Sequence, residues 1–148
     1  MEAVGVTETR LCQVPTARQT WSLADAMADV LSDVLCGASA RPGDVVGALG
    51  WRYREGVIGS ADSTVESLLV PLLGGGFSVV VNAQRSPSPA RALWLTAHEI
   101  GHSFFYVPGT PPRRIIAVTP EEERFCDEFA DRLTAANRGF AAPVARVA

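Results

Sequence analysis

Residues 98–102 read His98-Glu99-Ile100-Gly101-His102, and these two histidines are the only ones in the chain. The H-E-x-x-H pattern sets two imidazoles one helical turn apart, where positions i and i+4 share a face and both rings can reach one ion. Glu99 follows the first ring by about a third of a turn and has the reach to take a proton from water. The chemistry this set would supply is zinc-assisted hydrolysis, with two metal ligands and one general base.

The flanking residues agree with that reading. Ser88 and Pro89 suit an N-cap and a first helical position. A helix running on to Phe105 lines up Leu93, Ala97, Ile100 and Phe104 as one apolar stripe, with His98 and His102 roughly opposite. The plainer alternative is a helix that carries two surface histidines by chance, and it leaves the placement of Glu99 unexplained.

A hydrolytic zinc site needs a third protein ligand and an open fourth position. With no further histidine, that ligand must be a carboxylate or a cysteine. Thr119-Pro120 opens a second helix, with Glu122 three residues after the cap as in a capping box. Phe125, Cys126, Phe129, Ala130 and Leu133 form its apolar face. Glu121 projects away, and capping accounts for Glu122, so its loss should cost only a helix-start contribution. Glu123 is then the expected third ligand. Asp127, one turn on, is placed to accept the free N–H of a ligating histidine. Helix phase alone does not exclude Glu122, which lies close to the centre of the apolar face. Cys126 reads as a core thiol.

The strand Phe77–Asn82, the H-E-x-G-H helix and the later Glu123, Cys126, Asp127, Phe129, Ala130 and Leu133 together resemble the ImmA/IrrE family of metalloendopeptidases, over roughly residues 66–133. The resemblance implies a minimal gluzincin-like zincin in which Zn²⁺ is held by His98, His102 and Glu123, and Asp127 takes an orienting position. It also implies a site-specific endopeptidase acting on a regulatory protein, commonly a DNA-binding repressor. Three departures stand out: Cys126 replaces the usual Ala, Tyr106 stands where many members have His, and the apolar-Pro ending after Leu133 is missing.

The rest of the chain bounds these expectations. Its 148 residues, 47% hydrophobic and 20% charged, suit one globular domain over 1–148. The net charge of −3 argues against a nucleic-acid surface. No run approaches the roughly 18 apolar residues that span a bilayer, and Met1 to Gln13 lacks the form of a secretory signal. Cys12, Cys36 and Cys126, odd in number and irregular in spacing, favour a reducing cytoplasm.

Positioning this chemistry calls for an α+β, zincin-like domain, a small sheet packed on the active-site helix with the ligand-bearing helix beside it. Ser22 to Leu35 has helical periodicity and a stop at Gly37, and would support the active-site helix from behind. Trp51 to Arg54 alternates as a short strand. Glu66 to Leu72 and Phe77 to Asn82 flank Gly74-Gly75-Gly76 as a β-hairpin, and a helix from Ser63 to Leu73 is the competing reading. Val107 to Arg113 reads as a loop, while 1–17 and 140–148 are expected to be mobile.

Within that frame Glu99 would take a proton from the attacking water and return it to the leaving nitrogen. Tyr106, Arg113 and Arg114 are candidates for a second oxyanion donor. Tyr106 could instead simply finish its helix, and solvated loop charge is the favoured reading of the arginines. The edge of the Phe77–Asn82 strand could pair with an extended substrate. Two other function classes use the same metal: a tailoring hydrolase acting on a small amide, and a metal-dependent sensing or binding module. The second of these has no use for Glu99.

Overall fold

The computed structural model describes residues 40–60 and 62–135, together with positions 21, 22, 24, 25, 27, 29 and 31. The expected arm 1–17, the tail 140–148, Cys12, Cys36 and the Gly37 stop lie outside the described residues. The fold is mixed α+β. In chain order it runs α1 (Pro42–Ala48), β1 (Arg52–Gly56), β2 (Ser67–Pro71), β3 (Phe77–Asn82), a single 3₁₀ turn (Ala83–Arg85), α2 (Pro89–Ser103), β4 (Tyr106–Val107), β5 (Arg113–Arg114) and α3 (Pro120–Leu133). No helix among the described residues is long and apolar enough to cross a membrane.

The main sheet has the order β1-β3-β2, with β1 parallel and β2 antiparallel to the central strand. The hairpin forms as expected, and the competing helix over 63–73 does not. Gly75 and Gly76 turn the chain at φ 99° and 70°, values that cost a side chain dearly. Pairing alternates along β2. Glu66 accepts from Asn82 N (2.8 Å) and Leu72 N donates to Gly76 O (3.0 Å), so Leu68 and Val70 turn their backbone groups toward β3. Ser67, Leu69 and Pro71 turn theirs outward. The missing N–H of Pro71 therefore falls on the unpaired side of an edge strand, where it breaks no ladder bond.

Because β1 must skip past β3 to reach β2, a crossover over 57–65 joins them, whose described residues lie in no strand. Fully buried Asn82 holds it: its Nδ2 donates to Val65 O (2.8 Å), and its Oδ1 accepts from Ile58 N (3.5 Å) and Gln84 N (3.1 Å).

Short α1 was not foreseen. It carries Gly43 and Gly47 in seven residues, each unfavourable in a helix by up to about 1 kcal/mol. It is held instead by burial of Val45 and Val46. Ser88 Oγ accepts from Arg91 N (3.1 Å) to start α2, and Pro89 is its first residue. Leu93, Ala97 and Ile100 of the expected stripe are buried, with Phe104 packed against the same core. The helix stops at Ser103, so Tyr106 begins a strand rather than finishing a helix. The expected 107–113 loop is in fact the turn of a two-stranded ribbon, with Tyr106 opposite Arg114 and Val107 opposite Arg113.

Helices α2 and α3 cross closely at Gly101. A Cβ there would lie 3.1 Å from both Cα and Sγ of Cys126, so only glycine allows this approach. The core between them joins Ile100, Cys126, Phe129 and Ala130 to Val79 and Val81 of β3. The described N-terminal positions are helical, as expected for part of Ser22–Leu35. They brace the ligand-bearing side: Trp21 lies 4.7 Å from Phe125 of α3, and the Arg132 guanidinium sits 3.8 Å over the Trp21 ring.

Candidate metal centre

Helix α2 brings its two imidazoles to one point, and α3 brings Glu123 to meet them. His98 Nε2 and His102 Nε2 stand 3.2 Å apart; Glu123 Oε2 is 3.3 Å from the first and Oε1 is 3.4 Å from the second. Four ligands at about 2.0–2.1 Å around a tetrahedral zinc ion are separated by roughly 3.3–3.4 Å. The two imidazole nitrogens stand near that spacing, and Glu123 meets each with a different oxygen, so the three side chains are grouped closely enough to hold one ion, and the donor set suits zinc. Both histidines are largely buried, whereas the Glu123 side chain is 50% exposed, so the cluster opens to solvent on the α3 side.

Each ring is held by its own neighbours. Trp94, one turn before His98, stacks on it at 5.4 Å and 28°. Trp94 is fixed by its indole N–H to Asp131 (3.0 Å) and by the Arg91 guanidinium 4.6 Å over its ring. Arg91 also grips Glu66 through Nη2 (2.8 Å) and Nε (3.2 Å), tying the start of α2 to the residue before β2. Asp127 Oδ1 stands 2.9 Å from His98 Nδ1 but off the line of an N–H bond, a close approach rather than a formed hydrogen bond. Of the two histidines, it is His98 that Asp127 stands beside.

The environment of His102 departs from expectation. Its Nδ1 is 2.6 Å from Oε2 of Glu122, and Glu122 is only 4% exposed. The Thr119 cap does accept from Glu122 N (3.2 Å), but the side chain makes no return bond. Its carboxylate goes instead to His102 and to Arg114, whose Nη1 donates to Oε2 (2.9 Å) and whose Nη2 donates to Oε1. Capping therefore does not account for Glu122, and Arg114 is not a solvated loop charge. Arg113 remains exposed. The capping-box spacing concealed Glu122; its place near the centre of the apolar face was the signal for it.

Electrostatics follow from these contacts. Burial opposes charge on His102, but the bond with Glu122 and the fields of Glu99 and Glu123 outweigh it and hold its pKa above the ordinary histidine value. Burial also opposes charge on Glu122, and His102 and Arg114 prevail in keeping it below the usual carboxylate range. The bond to Glu122 raises Arg114 despite partial burial. His102, Glu122 and Cys126 also come close enough to suggest a second metal group. Arg114 already occupies that carboxylate, and burial pushes the Cys126 thiol well up. Cys126 is a neutral core thiol.

Glu99, 6% exposed, accepts a 2.6 Å hydrogen bond on Oε2 from the Ser67 hydroxyl of β2. No local pattern singles out Ser67, because only the pairing of β2 with β3 brings it over α2. Tyr106 packs edge-on against Phe77 (4.9 Å) and lies 5.2 Å beneath the Arg114 guanidinium. The strand expected to accept substrate, Phe77–Asn82, is interior with both sides paired; the open edge near the motif belongs to β2. No family model matches the chain, and neither the curated proteins nor the solved structures contain a match.

Proposed function

We propose that this chain is a zinc-dependent hydrolase of amide bonds, and that within this class it is a site-specific endopeptidase of the ImmA/IrrE, zincin-like kind. The observation that carries the reading is the convergence of His98 Nε2, His102 Nε2 and a Glu123 oxygen pair at 3.2–3.4 Å, with a buried carboxylate on the adjoining residue. His98, His102 and Glu123 would hold the ion, and Asp127 beside His98 serves to orient it. When bound, zinc supplies Lewis-acid activation of water and of the scissile carbonyl.

Glu99 takes the proton of the attacking water and delivers it to the leaving nitrogen. The Ser67 hydroxyl fixes the orientation of that carboxylate through Oε2. An extended peptide finds a partner in β2, whose Ser67 and Leu69 backbone groups face away from β3 and pair with no strand among the described residues. The resemblance points to a DNA-binding repressor as substrate, and the cysteine usage to a cytoplasmic setting. An oriented Glu99 favours an enzyme over a sensing or binding module, because metal binding alone needs no general base. Tyr106 stays a candidate oxyanion donor through its hydroxyl, its ring being occupied in packing.

Zinc titration combined with terminal labelling of a peptide library tests the reading. The wild type should take up about one equivalent of zinc and generate new peptide termini. Glu99→Gln should keep the metal and generate none. Failure of the wild type to bind zinc, or equal cleavage by Glu99→Gln, overturns it.

A further inference from the structure

The β4–β5 ribbon contributes no group to the His98, His102 and Glu123 triangle, yet it delivers a cation behind it. Arg114 is secured at three points. It lies opposite Tyr106 in the ribbon, its guanidinium covers the Tyr106 ring at 5.2 Å, and its Nε donates to Ile116 O at 3.0 Å. From there its two terminal nitrogens engage both oxygens of Glu122. A guanidinium fork of this kind fixes the plane of a carboxylate as well as its position.

The consequence reaches His102. A carboxylate held by two guanidinium N–H groups is an acceptor only. Its Oε2, 2.6 Å from His102 Nδ1, therefore requires the proton on Nδ1. In the neutral ring that leaves Nε2 with a lone pair, aimed at the point shared by His98 and Glu123. A rotated carboxylate, or a ring free to turn, would lose this arrangement. We propose that Arg114 and Glu122 form a positioning relay, in which the ribbon arginine locks the Glu122 carboxylate and thereby sets the ring orientation and tautomer in which His102 presents Nε2 to a metal ion. The relay rests on the reading of His98, His102 and Glu123 as zinc ligands, and makes the segment between the two helices part of the metal site.

The test uses ¹⁵N-histidine-labelled protein, which carries only two imidazoles. Long-range ¹⁵N–¹H spectra of the metal-free protein, recorded at a pH high enough to leave the ring neutral and assigned with His98→Gln, report the tautomer of His102, and zinc titration reports affinity. The wild type should show His102 protonated on Nδ1. Arg114→Met should mix the tautomers and weaken zinc binding by about 10–100-fold. Arg114→Lys, which keeps the charge but not the fork, should recover part of both, and Arg113→Met should change neither. If Arg114→Met does not fold, Glu122→Gln, close in shape, should produce the same shifts. A wild-type tautomer together with zinc affinity within twofold of wild type, in Arg114→Met or in Glu122→Gln where only that variant folds, overturns the relay. If the wild type binds no zinc, the ligand reading fails by itself, and the tautomer of the variants still decides whether Arg114 positions His102.

Discussion

Replacing Gly101 by alanine adds a single methyl group at the crossing of α2 and α3. That carbon would stand 3.1 Å from Cα and Sγ of Cys126 and 3.3 Å from its Cβ, where carbon contacts prefer about 3.5–4.0 Å. Two of those atoms belong to the backbone and first side-chain carbon of a packed helix, so α3 must retreat by roughly half an ångström. Such overpacking typically costs about 1–3 kcal/mol, while alanine returns about 1 kcal/mol of helix propensity. The net loss should be roughly 0–2 kcal/mol in chemical denaturation of the metal-free protein. The larger effect should fall on metal binding. Glu123 lies one turn before Cys126, and a half-ångström shift exceeds the roughly 0.2 Å tolerance of a zinc–ligand distance. Zinc affinity should therefore drop more than stability does. Gly47→Ala is the control: its new methyl meets nothing within 4 Å, so it should stabilise the protein by about 0.4–1 kcal/mol and leave zinc binding unchanged. If Gly101→Ala behaves like Gly47→Ala in both assays, the close crossing does not set the position of Glu123.

Glu123→Ala should reduce zinc affinity far more than Asp127→Ala, whose effect by titration should be about 10–100-fold. Glu122→Ala strands Arg114 and His102 and should cost about 3 kcal/mol of folding stability, the low end for breaking a buried pair because Arg114 keeps some contact with water; a loss below about 1 kcal/mol would return Glu122 to a capping role. Asn82→Ala removes three hydrogen bonds, two of them to the β1–β2 crossover, and hydrogen exchange at Ile58 should accelerate along with a loss of at least about 2 kcal/mol. The Glu66 pKa is lowered chiefly by its hydrogen bond to Arg91, so that pair stabilises the fold at neutral pH and its contribution disappears as pH falls through the lowered value, below the ordinary glutamate pKa of about 4.3. Solvent limits the contribution to about 1 kcal/mol or less, and the stability gap between wild type and Arg91→Ala should narrow in acid to what the Arg91 contact with Trp94 supplies.

Local chemistry made much of this arrangement legible. The two caps, Ser88 and Thr119, and the apolar stripes after them place α2 and α3 to within a residue or two, because capping and helical periodicity are properties of adjacent residues. The triple glycine marks the hairpin for the same reason. Helix α1 was hidden by its glycines and by a stability that comes from burying Val45 and Val46. The ribbon was hidden by its brevity, since two-residue strands carry no alternation to detect.

By itself, the sequence determined the pair of imidazoles on one helical face, the carboxylate between them, and the apolar faces that would bury the two helices. These follow from the fixed period of an α-helix. Only the tertiary structure decided how the acidic run at the start of α3 is divided. Glu121, Glu122 and Glu123 differ by 100° steps around one helix, and the apolar stripe brings Glu122 and Glu123 towards α2 without saying which partner each one meets. The Gly101–Cys126 crossing sets that rotation, giving Glu123 to the histidine pair and Glu122 to Arg114 and His102. The same holds for Ser67, which reaches Glu99 only because β2 pairs with β3 at the sheet edge. Contacts between residues distant in the chain depend on packing and register, and no window of sequence contains either.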